Sequence, residues 1–104
     1  MSYQWTDHSK RQAARRGLSH DELEYVLYYA SRHHRAGAII YYLREVDLPL
    51  VDRNQQYACR LIGTAVVMAR DQRTIITVWR NRRSGLKHIL RKLERDHLKG
   101  NYWE

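Results

Sequence analysis

Six histidines and nineteen lysine or arginine residues are the side chains of this 104-residue chain best suited to handling a phosphate. His8 opens a segment in which Gln12, Arg15 and Arg16 fall on nearly the same helical face. A histidine beside several arginines suits phosphodiester cleavage: the imidazole moves a proton while guanidinium groups hold the phosphate and its extra transition-state charge. Thr77 and Arg80 form a second group, near the end of the segment Thr74-Ile75-Ile76-Thr77-Val78-Trp79-Arg80-Asn81. That segment reads as a strand with Ile75, Thr77 and Trp79 on one face and a polar, cationic end. His34, next to Arg35, is a reserve acid or base. The bland alternatives are an exposed or packed imidazole and a threonine serving only as a β-former.

Metal and nucleotide-loop chemistry find no motif. H-x-x-x-H, H-E-x-x-H and C-x-x-C spacings are absent, and the five glycines are scattered rather than gathered into a phosphate loop. No cofactor is expected. Cys59 has no second cysteine to pair with and reads as a small buried hydrophobe heading an apolar strand.

The charge has a location. Lysine and arginine outnumber aspartate and glutamate 19 to 11, a formal charge of +8. One basic group, Lys10, Arg11, Arg15 and Arg16, lies on the first helical segment. The other runs from Arg80 through Arg82, Arg83, Lys87, Arg91, Lys92 and Arg95 to Lys99, opposed only by Glu94 and Asp96. Clustered cations release counterions from a phosphate backbone, so a nucleic-acid partner follows naturally; a solvated face that aids solubility is the alternative. Tyr42 and the other tyrosines offer rings that could stack on bases, or simply pack.

These residues need elements to position them. Thr6 or Asp7 caps a helix running to Arg16, and Gly17 is placed to end it. Ser19-His20-Asp21-Glu22 has the form of a capping box that starts a second helix. Leu23, Val26, Leu27 and Ala30 form its core stripe, and Arg32, His33, His34 and Arg35 fall at its C-terminal end, where the dipole would raise a histidine pKa. Ala38 to Leu43 reads as a strand and Glu45 to Gln56, with the single proline, as an irregular excursion. Ala58 to Arg70 reads as a long central strand with apolar residues on both faces, Gly63 marking a bulge or close approach. It pairs with Thr74–Arg80 as a hairpin. Leu86 to Leu98 reads as a basic terminal helix or tail. The expected fold is one α+β domain, residues 1–104, with two N-terminal helices on an antiparallel sheet of three to four strands. No run of about 18 apolar residues spans a membrane and no secretory signal opens the chain, so a cytoplasmic location is expected.

His8 followed by Arg16-Gly17-Leu18-Ser19, the Arg35-Ala36-Gly37-Ala38 stretch, Ile75-Ile76-Thr77-Val78-Trp79-Arg80 and the ending Arg80-Asn81-Arg82-Arg83 with Arg91-Lys92 together resemble domain of unknown function 4258. The resemblance covers about Asp7 to Lys92. That family is grouped with small ribonuclease folds of the barnase, colicin and RelE type. It implies toxin-like ribonuclease activity or descent from it, with His8, Arg16 and Thr77 matching the family's histidine, its Arg-Gly arginine and its last-strand threonine. Gln12 stands where the family often has a further arginine. In this reading His8 is the general acid or base, Arg16 and Arg80 hold the phosphate, Thr77 and Tyr42 support them, and the RNA 2′-hydroxyl is the nucleophile. Two other readings stay open: a non-catalytic nucleic-acid-binding module, and an interaction protein whose basic face meets an acidic, antitoxin-like partner.

Overall fold

The computed structural model describes residues 3–35, 37–80 and Arg91. The expected helix over Leu86 to Leu98 and the basic loop before it lie outside the described residues, Arg91 excepted.

Helix α1 (Asp7–Arg15) begins where Thr6 accepts a hydrogen bond from the Ser9 amide. It ends in a Schellman turn: Leu18 N–H reaches the Ala13 carbonyl, Gly17 N–H reaches that of Ala14, and Gly17 takes a left-handed φ of 67°. Helix α2 (His20–Tyr29) starts on the expected capping box, with Ser19 and Glu22 exchanging bonds of 3.0 and 3.2 Å. Its buried stripe is Leu23, Val26 and Leu27.

The sheet has five strands: β1 (Gln4–Trp5), β2 (Ser31–Arg35), β3 (Ala38–Tyr42), β4 (Thr64–Met68) and β5 (Thr74–Arg80), in the order β1-β5-β4-β3-β2. It is mixed rather than wholly antiparallel. β1 runs parallel to β5 through Gln4 opposite Thr74 and Trp5 opposite Ile75, while the other pairs are antiparallel. Two residues of pairing leave no alternation to read, so β1 has no sequence signature.

Three expectations are corrected. The second helix stops at Ala30, and Arg32 to Arg35 belong to edge strand β2 instead of a helix end. β3 is buried along its whole length and offers its open edge to residues 31–35; Arg32 lays its guanidinium 5.3 Å from the Tyr41 ring centre. The environment of His33 is accordingly the reverse of that expected at a helix end: burial, with Arg44 and Arg35 nearby, pushes its pKa below 6.5. Ser31 gives its hydroxyl proton to the Tyr42 carbonyl, so at the 3.1 Å contact with His33 the ring Nε2–H is the donor.

Second, residues 58–63 are not strand. Two single-turn 3₁₀ segments (Glu45–Asp47 and Leu50–Asp52) lead into the short helix α3 (Gln56–Cys59), and β4 begins only at Thr64. Ala58 and Leu61, three apart, are the buried apolar side chains of this stretch, a helical spacing. Cys59 therefore sits in α3, half-buried, its thiol donating to the Arg53 carbonyl.

Third, Ile75 and Trp79 lie on opposite faces. Met68 pairs with Ile75 and Val67 with Thr77, so Ile76 has no partner and the register shifts by one. One face, with Ile39, Tyr41, Val66, Met68, Ile75 and Val78, packs against Ala13 of α1 and the stripe of α2. The other carries Ala38, Ile40, Tyr42, Ala65, Val67, Ile76 and Trp79, all buried. Central strand β4 is thus apolar and covered on both sides, as expected. Among the described residues no helix is long and apolar enough to cross a membrane.

Candidate active site and nucleic-acid interface

The site forms because β1 is short. An edge strand presents unpaired carbonyls that must be satisfied. β1 covers β5 only as far as Ile75, and α1 takes over from there. Thr6 donates from its amide to the Ile75 carbonyl and from its hydroxyl to the carbonyls of Ile75 and Ile76. Ten residues on, Arg16 donates its Nε hydrogen to the Val78 carbonyl at 3.2 Å. Between them His8 Nε2 meets the Thr77 hydroxyl at 3.1 Å. Three of the candidate residues, His8, Arg16 and Thr77, therefore gather along one edge of β5.

Their exposures differ in a way that assigns roles. Thr77 is 0% exposed, so its hydroxyl reaches outward only through His8. His8 and Arg16 are half-buried, each with one side on β5. The bulge at Ile76 is what fixes where Thr77 falls along this edge.

Arg80 closes β5, opposite Thr64, and donates to the Arg60 carbonyl. The Arg60 guanidinium in turn bonds the Gly17 carbonyl and pairs with Glu22. Arg60 thus links the end of α1, the start of α2 and the end of β5. It lies 43 positions from Gly17 in the chain, and no local pattern marks it. Lys10, Arg11 and Arg15 are exposed on α1; Arg91, outside it, is exposed too. Arg82, Arg83, Lys87 and Lys92 lie outside the described residues.

Two candidates are not brought to this edge. Tyr42 is 7% exposed in β3 within the second apolar face, and burial pushes its hydroxyl pKa up; its ring packs in the core. His34 lies on β2, three strands from β5, or roughly 14 Å by the usual strand spacing. It instead lines an open pocket with Arg35, Gly37, Ala38, Ile39, Arg70 and Gln72.

Asp52 accepts from both Tyr25 and Tyr57 at 2.6 Å, which holds its carboxyl below the usual range. Among the described residues no three His, Cys, Asp or Glu side chains come together as a metal site. No protein-family model, curated protein or solved structure matches the chain.

Proposed function

We propose that the protein is a small ribonuclease-like domain that binds RNA through the basic face of α1 and cleaves it at the α1–β5 edge. The observation that carries this reading is the contact between His8 and Thr77 beside Arg16. A buried hydroxyl holds one ring nitrogen of the imidazole in place, and a guanidinium stands along the same edge. His8 moves the proton, taking it from the 2′-hydroxyl or delivering it to the departing 5′-oxygen. The 2′-oxygen bonds to phosphorus as the bond to the 5′-oxygen breaks, leaving a 2′,3′-cyclic phosphate and a 5′-hydroxyl. Arg16 and Arg80 supply positive charge to the phosphate. This assignment of His8, Arg16 and Thr77 is the one that the resemblance to domain of unknown function 4258 implies.

The test is a pair of labelled oligonucleotides of one sequence, one all-ribose and one 2′-deoxy, incubated with the protein and a chelator. Cleavage of the ribose strand alone, ending in a cyclic phosphate, is the expected result. Cleavage of both, or a linear phosphate formed directly, would rule out the 2′-hydroxyl route.

A second reading, RNA binding without cleavage, draws on a specific observation: Arg16 and Arg80 each spend a donor on a backbone carbonyl. Salt-sensitive RNA binding with no cleavage of either strand is its signature. An acidic antitoxin-like protein covering the same basic face is compatible with either reading.

A further inference from the structure

The sheet carries a second cationic feature, across from the His8 edge. The β2–β3 turn and the β4–β5 turn come together at one end of the sheet because Ile39 pairs with Met68. Between them lies an open pocket of about 390 Å³ lined by His34, Arg35, Gly37, Ala38, Ile39, Arg70 and Gln72.

Its lining holds two arginines and a histidine and no acid. The side chains of Arg35, Arg70 and His34 are exposed and make no hydrogen bond or ion pair among the described residues. The nearest acid in sequence, Asp71, is turned into its own loop. Its carboxylate accepts from the amides of Arg73 and Thr74 and from the Thr74 hydroxyl, at 2.7 to 2.9 Å, and these bonds hold its pKa down. That arrangement leaves Arg70 on one side of Asp71 and Gln72 on the other. Gln72 adopts a φ of 60°, a left-handed conformation disfavoured for a side-chain-bearing residue, and lies in the pocket wall. Two guanidinium groups facing one space match the oxygens of a phosphate. The volume falls within the range of small-molecule sites, roughly 300–1,000 Å³, and exceeds what a bare phosphate fills.

We infer that this pocket binds a terminal phosphate carried on a molecule about the size of a nucleotide, held by Arg35 and Arg70, with the remainder along Gly37, Ala38 and Ile39. The inference does not depend on the ribonuclease reading, because the pocket shares no residue with the His8 edge.

Calorimetric titration of the full chain with adenosine monophosphate, inorganic phosphate and adenosine tests it. The nucleotide should bind one-to-one, inorganic phosphate more weakly and adenosine not at all. Arg35→Gln and Arg70→Gln should each weaken the nucleotide about tenfold. Both positions are exposed, so the thermal midpoint should hold and report that each variant folds. Competition separates the two sources of such a group. Displacement by a 5′-phosphorylated oligoribonucleotide, and not by its 5′-hydroxyl form, identifies an RNA end; displacement by neither identifies a free nucleotide. The inference is overturned if adenosine binds as well as the nucleotide, if the folded double arginine variant binds like the parent, or if His8→Ala abolishes nucleotide binding while the arginine variants do not.

Discussion

The imidazole of His8, in the first turn of α1, stands 3.1 Å from the hydroxyl of Thr77 in β5, 69 positions later. The bulge at Ile76 and the shortness of β1 make that meeting possible. Thr77 is fully buried, so in the ribonuclease reading it acts through His8, as a positioning residue. Thr77→Val keeps the shape and removes the bond. RNA cleavage should fall about tenfold, and its pH profile should shift, with stability changed by no more than about 1 kcal/mol. Thr77→Ser should restore most of the rate. An unchanged profile in the valine variant would show that the hydroxyl does not hold the ring.

Arg16 has a structural duty separable from any role at phosphate. Its Nε satisfies the Val78 carbonyl on an edge that, among the described residues, no strand covers. Arg16→Ala should cost about 1–2 kcal/mol in urea unfolding, because that partly buried acceptor loses its donor. Loss of activity with no loss of stability would place Arg16 at the phosphate alone.

Thr64 offers the opposite case. It is 0% exposed and its hydroxyl has no hydrogen-bond partner among the described residues. Thr64→Val replaces an unpaired polar atom with a methyl group of like size and keeps the β-branch. The unfolding free energy should rise by about 1 kcal/mol. A drop of that size would show that the hydroxyl is satisfied in solution.

The cluster of Asp52, Tyr25 and Tyr57 sets a pH window. The two phenols hold the Asp52 carboxyl below 3.8, while burial and the carboxylate push Tyr25 above 10.0, and the carboxylate pushes Tyr57 the same way. A carboxylate with a lowered folded pKa contributes stability above its unfolded value and loses it as pH falls through the folded value. A phenol with a raised folded pKa contributes below its unfolded value and loses it as pH rises. The stabilisation is therefore full between about 4 and about 10. Asp52→Asn should flatten both flanks of a thermal-midpoint profile; a parallel downward shift at every pH would mean that the charge is not what matters.

Local signals were legible where they were complete. The Ser19–Glu22 capping box, the left-handed Gly17 and the apolar run of β3 read directly into structure. Ser31–Arg35 did not, because a polar edge strand lacks apolar alternation and its charges mimic a helix end; only the exposed edge of β3 makes it a strand. Residues 58–63 misled for the converse reason, an apolar stretch too short to separate the two periods. That His8 and Arg16 share a helical face was legible from spacing; that Thr77 meets His8 from 69 positions away was not, because the shortness of β1 and the bulge at Ile76 bring them together. The pocket of Arg35 and Arg70 left no sequence trace, since two distant turns create it.

The most direct test of the ribonuclease reading is the single-turnover cleavage rate of a labelled RNA, in the presence of a chelator, by the parent protein and by His8→Ala. Loss of the proton-transfer group predicts a fall of about 10²- to 10⁴-fold with the variant still folded and still binding RNA. Equal rates for the two proteins, or no cleavage by the parent, would contradict it.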